Sequence, residues 1–313
     1  MMKQKTAFMF PGQGSQSIGM GKDLYEAFPV AKAVFQEVDE ALHQNLSGLM
    51  FDGDIKELTQ TQNAQPAIMA VSMAVMRVLE SQGFLLKDTA TFVAGHSLGE
   101  YTALCAAGAL PLSDTACVLR ARGQAMAEAG RLEAGGMMAV LGLGPELVQK
   151  IAADSGCYVA NDNGAGQWVL SGSLVALSTA KMRAESMGAK RVIPLPVAGA
   201  FHSPLMKSAQ EKMKEVLADV AFQKPVVPVV ANVTARVETE NFADLLIRQL
   251  LAPVRWRESV LFMQTQGIAH FVECGPGAVL SGLVRRILPD SAQERVNDRA
   301  SLQAFLENHQ KNT

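Results

Sequence analysis

Gly95-His96-Ser97-Leu98-Gly99 sets a serine between two glycines in the pattern G-x-S-x-G. At a strand-to-helix turn this pattern projects the serine hydroxyl from a sharp bend, beside the free N–H groups and positive end of the following helix. Such a hydroxyl suits nucleophilic attack on an acyl carbon, because those N–H groups stabilise the oxyanion that develops. The alternative is a serine that only caps the helix. The flanks favour the nucleophile. Phe92-Val93-Ala94 reads as a buried strand, and alanine-rich Leu98–Ala107 as a helix.

A serine nucleophile needs a base, and the chain has five histidines. His96 adjoins Ser97, but a sharp turn should direct its side chain away. His43 falls on a polar helix face and His309 in the tail. His270 lies in an apolar strand, where a hydrogen-bonded core histidine is expected. His202 follows Pro196-Val197-Ala198-Gly199-Ala200-Phe201 and precedes Ser203-Pro204, which places it in an irregular loop before a helix. Loops held by a rigid scaffold are where catalytic groups concentrate. Ser97 and His202 are therefore the expected pair.

The elements that must position them follow from the apolar pattern. Thr6–Phe10 reads as a strand and glycine-rich Gly12–Ser17 as the loop at its end. Val30–Leu42 and Pro66–Gln82 have helical spacing, with Pro66 suited to a helix start. Asp114–Ala129 is a further helix. The middle of the chain reads strand Met137–Leu141, helix Pro145–Ala153, strands Tyr158–Asn161 and Gln167–Leu170, helix Leu174–Met187 and strand Arg191–Pro194. That order, β-α-β-β-α-β, is the ferredoxin-like pattern. Alternation then resumes with helix Pro204–Asp219, strand Val226–Ala231, helices Phe242–Leu251 and Ser259–Gln266, strand His270–Glu273 and helix Ala278–Leu288. Alternating strands and helices imply a mainly parallel sheet covered on both faces. The expected fold is α/β: a large hydrolase-like domain (1–131 and 197–313) and a small ferredoxin-like βαββαβ domain (132–196). The tail after Pro289 reads as polar, ending in a surface helix.

With 313 residues the chain exceeds what one compact core usually serves. Hydrophobic residues make up 49% and charged residues 19%, and the net charge is -2. This balance gives no electrostatic reason to expect nucleic acid as a partner. No apolar run reaches the roughly 18 residues of a membrane span, and the N-terminal apolar stretch is too short for a signal peptide. The four cysteines, Cys105, Cys117, Cys157 and Cys274, show neither metal nor disulfide spacing, and read as buried free thiols in a reducing cytoplasm.

Several motifs stand in order along the chain: Phe10-Pro11-Gly12-Gln13-Gly14-Ser15-Gln16, Gly95-His96-Ser97-Leu98-Gly99-Glu100, Arg122-Gly123 with Met126, Gly199-Ala200-Phe201-His202-Ser203-Pro204-Leu205-Met206, and Glu273-Cys274-Gly275-Pro276-Gly277. Together they resemble the malonyl-CoA:acyl-carrier-protein transacylases of fatty-acid synthesis and the related acyltransferase domains of polyketide synthases. The resemblance spans residues 5–288. It implies a ping-pong transfer in which Ser97 takes the malonyl group from malonyl-CoA and passes it to the phosphopantetheine thiol of an acyl carrier protein. His202 would serve as base and acid. The resemblance maps the oxyanion hole to the backbone N–H groups of Gln13 and Leu98. Glycines at 12 and 14 suit a close backbone approach there. It maps the residue that grips the free carboxylate to Arg122, whose planar fork lysine cannot copy. It places Gln249 nearby, its backbone carbonyl orienting His202, so that no triad aspartate is required. Phe201 stands where some members carry a small polar residue. Its bulk would crowd an α-methyl group, a preference of about 1–3 kcal/mol.

The resemblance implies coenzyme A and a carrier protein as partners, malonyl-CoA as substrate, no permanently bound cofactor and no metal. Lys190-Arg191 and Arg285-Arg286 are candidate docking charges for an acidic carrier, with ordinary solvated charges as the alternative. A serine hydrolase would share the turn at Ser97, but it would also show an HGGG-like loop and a late histidine after an acid. A non-catalytic carrier binder is the other alternative. A transacylase of malonate decarboxylation or of a trans-acting polyketide system is not separated by these motifs.

Overall fold

Strand β1 (Thr6–Phe10) runs through a six-stranded sheet and is buried at every position. The computed structural model describes residues 5–310. β2 (Phe92–Gly95) lies on one side of β1, followed by β7 (Val229–Val230) and β8 (Val237–Glu238). β9 (His270–Cys274) and β10 (Ala292–Val296) lie on the other. All pairings are parallel except β7 with β8.

Side chains alternate across the sheet and feed two cores. Phe8, Phe10, Val93, Val229, Val272, Cys274 and Val296 face the larger one, which includes the long helices Thr61–Ser81 and Leu112–Leu132. Ala7, Met9, Ala94, Val230 and Phe271 face the other, with Trp256, Val260 and Leu283. Strands buried on both faces must be apolar throughout, as the sequence of β1 is.

A second sheet, wholly antiparallel, has the order β4-β5-β3-β6. Its strands are β3 (Gly135–Leu141), β4 (Tyr158–Asp162), β5 (Gln167–Ser173) and β6 (Arg191–Pro194). Helices Pro145–Ser155 and Leu174–Ser186 cover one face around Val140, Leu170, Val148 and Ala180. This is the expected βαββαβ arrangement. The edge strand β4 is tied to the large domain where Val254, just before helix Trp256–Thr265, bonds through its backbone to Ala160 and Asp162.

Several expectations are corrected. The helix read as beginning at Pro66 begins at Thr61, and Pro66 lies inside it. Proline forfeits the bond to the carbonyl four residues back, a local loss outweighed by a helix buried along most of its length. The strand read at Val226–Ala231 is only Val229–Val230, because Pro225 and Pro228 cannot donate to a ladder. Ser259–Gln266 is instead helix Trp256–Thr265. The tail after Pro289 supplies β10 and the helix Arg299–Gln310, whose Leu302 and Phe305 are buried. Cys117 is exposed, whereas Cys105, Cys157 and Cys274 are buried. His43 ends the helix Pro29–Leu42 in the left-handed conformation, rather than lying on its face.

Candidate active site

The loops leaving the carboxyl ends of β1, β2 and β7 converge, because parallel strands end on the same edge of the sheet. Open α/β sheets bind ligands at this edge. The loop after β2 carries Ser97, with φ 54° and ψ -108°, directly before the helix Leu98–Ala106. Only small residues permit so tight a turn. A Cβ on Gly99 would lie 2.2 Å from the Phe10 carbonyl oxygen, and one on Gly95 would lie 1.9 Å from the Gly99 backbone. The strain at Ser97 is held by Asn232, just past β7. Its Oδ1 accepts from the Ser97 N–H at 2.8 Å, and its Nδ2 donates to the Gly95 carbonyl at 2.7 Å.

Ser97 Oγ lies 2.9 Å from His202 Nε2. His202 Nδ1 lies 2.8 Å from the backbone carbonyl of Gln249, at the end of helix Phe242–Gln249. A carbonyl only accepts, so Nδ1 carries the proton and Nε2 offers its lone pair to the serine. The backbone at His202 is also left-handed, φ 56°. Burial, reinforced by the charge of Arg122, lowers the His202 pKa to about 3. The imidazole is therefore neutral at ordinary pH and able to accept a proton.

Arg122 projects from helix Leu112–Leu132 and is 1% exposed. Its Nη2 donates to Ser97 Oγ at 3.1 Å and to Gln249 Oε1 at 2.9 Å, and its Nη1 to Gln65 Oε1 at 2.7 Å. The Tyr101 ring lies 5.3 Å from the guanidinium carbon. Burial holds the arginine below its ordinary pKa. Among the described residues no ion pair engages this buried cation. Gln249 Nε2 donates in turn to Glu100 Oε2 at 2.7 Å and to the Ser97 carbonyl at 3.1 Å. Glu100 also accepts the Asn232 N–H at 3.0 Å. Burial pushes the Glu100 carboxyl up to about 7, against the lowering effects of Asn232, Gln249 and Arg122.

Gln13, in the loop after β1, and Leu98, the first residue of its helix, line the same cavity as Ser97. Among the described residues neither backbone N–H has an acceptor. A Cβ at Gly12 would come 2.7 Å from the His96 carbonyl, so this glycine lets the two loops close on each other. The cavity is about 180 Å³ and is further lined by Arg122, Met126, Met137, Phe201 and His202. Phe201 is 5% exposed. This volume falls below the roughly 300–1,000 Å³ of pockets that enclose drug-sized ligands. It suits a group of a few carbons.

Every residue expected at the site is thus brought together. Sequence reading missed Asn232, Glu100 and Gln65. Asn232 had a detectable signal, a polar residue just past an apolar run that ends beside β2. Gln65 had none, since its polarity is hidden on a mostly apolar helix. His96 turns from Ser97 to bond Asn163 at 3.0 Å, although it still borders the cavity.

A family model described as the acyl transferase domain matches residues 7–312. The chain is 48% identical to the malonyl CoA-acyl carrier protein transacylase of Bacillus subtilis, covering 90% of each chain. It is 40% identical to that of Salmonella typhimurium, over 96% of this chain and 98% of the relative. The crystal structure of an acyl-carrier-protein-S-malonyltransferase from Bartonella henselae superposes with a TM-score of 0.94 at 46% identity, covering 97% of this chain and 99% of that one. A type II PKS acyl-carrier protein in complex with its malonyl-transacylase gives 0.93 at 39%, covering 98% and 100%. The chain belongs to the acyl transferase family, among its malonyl-CoA:acyl-carrier-protein transacylases.

Proposed function

We propose that this enzyme moves a malonyl group from malonyl-CoA to the phosphopantetheine thiol of an acyl carrier protein, through a malonyl ester on Ser97, in fatty-acid biosynthesis. The observation that carries this reading is the buried Arg122 guanidinium. It sits 3.1 Å from the nucleophilic oxygen and is held by neutral amides rather than by a carboxylate. A substrate carboxylate completes such a site, because a bidentate pair is the strongest partner available to buried arginine.

His202 Nε2 takes the Ser97 proton as Oγ attacks the thioester carbon. The N–H groups of Gln13 and Leu98 receive the oxyanion. Losing one such donor typically costs about 10²–10³ in kcat. Collapse breaks the carbon–sulfur bond, and the imidazolium returns the proton to the departing coenzyme A sulfur. The carrier thiol then repeats the sequence in reverse. It loses its proton to His202, attacks the ester carbon and releases Ser97 Oγ, which recovers the proton. Gln249 fixes the imidazole tautomer through its backbone and steadies Arg122 through its side chain. Phe201 narrows the cavity against an α-methyl group. The steps need no resident cofactor.

Among the described residues no helix is long and apolar enough to cross a membrane. The three buried free thiols support a reducing, cytoplasmic setting. The complex of a malonyl-transacylase with a type II PKS carrier supports a second reading, in which the acceptor is a polyketide carrier.

The test compares donors. Arg122→Ala should lower malonyl transfer by about 10²–10⁴, since breaking a buried charge pair costs about 3–5 kcal/mol. Acetyl transfer, which has no carboxylate to lose, should be spared. Unchanged preference for malonyl over acetyl in this variant would assign the carboxylate to another residue.

A further inference from the structure

At the edge of the main sheet opposite Ser97, the strand register gathers a second polar cluster. Thr6 of β1 stands opposite His270 of β9, and His270 opposite Ala292 of β10. Glu294, two residues along β10, therefore shares the face of His270. The helix Arg299–Gln310 packs on this face through Leu302 and Phe305. His309 follows Phe305 by one turn and so points the same way.

The result is two imidazoles around one carboxylate. His270 Nε2 lies 3.1 Å from Glu294 Oε1. His309 Nε2 lies 3.2 Å from the same oxygen and 3.3 Å from Oε2. One ligand atom from each residue lies within 4.8 Å of the others.

We propose that His270, Glu294 and His309 bind one divalent transition-metal ion of the zinc class, which fastens the C-terminal helix to β9 and β10. A tetrahedral ion with bonds of about 2.0–2.1 Å holds its ligand atoms roughly 3.3 Å apart. The spacings from each imidazole to the carboxylate already approach that value. Two imidazoles and a carboxylate favour zinc, cobalt, nickel or copper over magnesium and calcium. Thr6 Oγ1, 3.2 Å from His270 Nδ1, supplies the outer partner that a metal-binding histidine requires. When the ion takes the place of the Nε2 proton, Thr6 Oγ1 accepts from Nδ1–H and fixes the ring with its Nε2 lone pair toward the ion. The Phe305 and Phe84 rings, 4.3 and 6.1 Å from the His309 ring, fix its orientation. The Glu294 and His309 side chains are 33% and 27% exposed, which gives the ion a path in and a water the fourth position.

The test titrates untagged, chelator-stripped protein with Co2+. Saturation at one ion per chain is expected, with the visible absorption of a tetrahedral nitrogen and oxygen site. Zn2+ displaces the Co2+, Mg2+ does not, and Zn2+ raises the unfolding temperature. Glu294→Gln and His309→Ala should each weaken Co2+ binding by at least the roughly 10–100-fold that loss of an outer partner costs. Acyl transfer should be unchanged, because neither residue borders the Ser97 cavity. Wild-type protein without saturable Co2+ absorption, or binding unaltered in both variants, would overturn the site.

Discussion

Glu100 is the buried group that most sharply connects the site to stability. Burial raises its pKa from the ordinary 4.5 to about 7, so the fold favours the neutral carboxyl. Its contribution to stability is fully present below about pH 4.5. It is lost as pH rises towards about 7, because the unfolded chain ionises first. Glu100→Gln keeps an acceptor for Asn232 and Gln249 but cannot ionise. Wild type should therefore lose stability relative to this variant between about pH 4.5 and 7, and run parallel to it above. Denaturant midpoints across that range measure the difference, and a constant offset would show that Glu100 does not titrate in the fold. The residues proposed as nucleophile, base and carboxylate grip were legible in the sequence, because Ser97, His202 and Arg122 sit in local motifs. Glu100 was visible as a letter of the Ser97 motif, but its partners lie 132 and 149 residues away, and no local pattern encodes such a contact.

At the scale of elements, the bend at Ser97 exists because β2 and its helix approach β1 without side chains between them. Gly99→Ala places a methyl group 2.2 Å from the Phe10 carbonyl oxygen, which is backbone and cannot rotate away. The variant should lose about 1–3 kcal/mol, the usual cost of overpacking. It should also lose most activity, since Leu98 N–H and Ser97 Oγ shift with the helix. A chemical melt and a transfer assay check both, and a variant with wild-type stability and rate would place the helix farther from β1 than described. Continuous apolar runs made the main-sheet strands β1, β2 and β9 readable, and the order of strands and helices did the same for the small antiparallel sheet. Two of the failures share a cause. Pro66 and the tail were judged on local chemistry, whereas burial against distant elements decides both. Leu302 and Phe305 become core only because β9 and β10 offer an apolar face.

Across the whole molecule, a cavity of about 180 Å³ has room for a few carbons, so in the proposed reaction coenzyme A and the carrier protein remain largely outside. The carrier therefore needs an external surface. Lys190, Arg191, Arg285 and Arg286 are all exposed. As a proposed docking surface they predict that reversing these charges raises KM for carrier protein several-fold and leaves KM for malonyl-CoA unchanged. Steady-state kinetics with each substrate varied separately distinguishes this from equal effects on both, which would remove these residues from docking. The boundaries of a smaller domain, proposed at 132 and 196, follow the limits of the antiparallel sheet. Met137 and Asn161 from that sheet help wall the cavity.

The proposed transfer requires a covalent malonyl-Ser97 intermediate. Intact-protein mass after brief exposure to malonyl-CoA tests it directly, with acetyl-CoA and methylmalonyl-CoA alongside and Ser97→Ala as control. One malonyl adduct is predicted, mapped to Ser97, absent from the control and discharged by a carrier-protein thiol. No adduct from any donor on folded protein, or rapid hydrolysis without transfer to the carrier, would contradict the account.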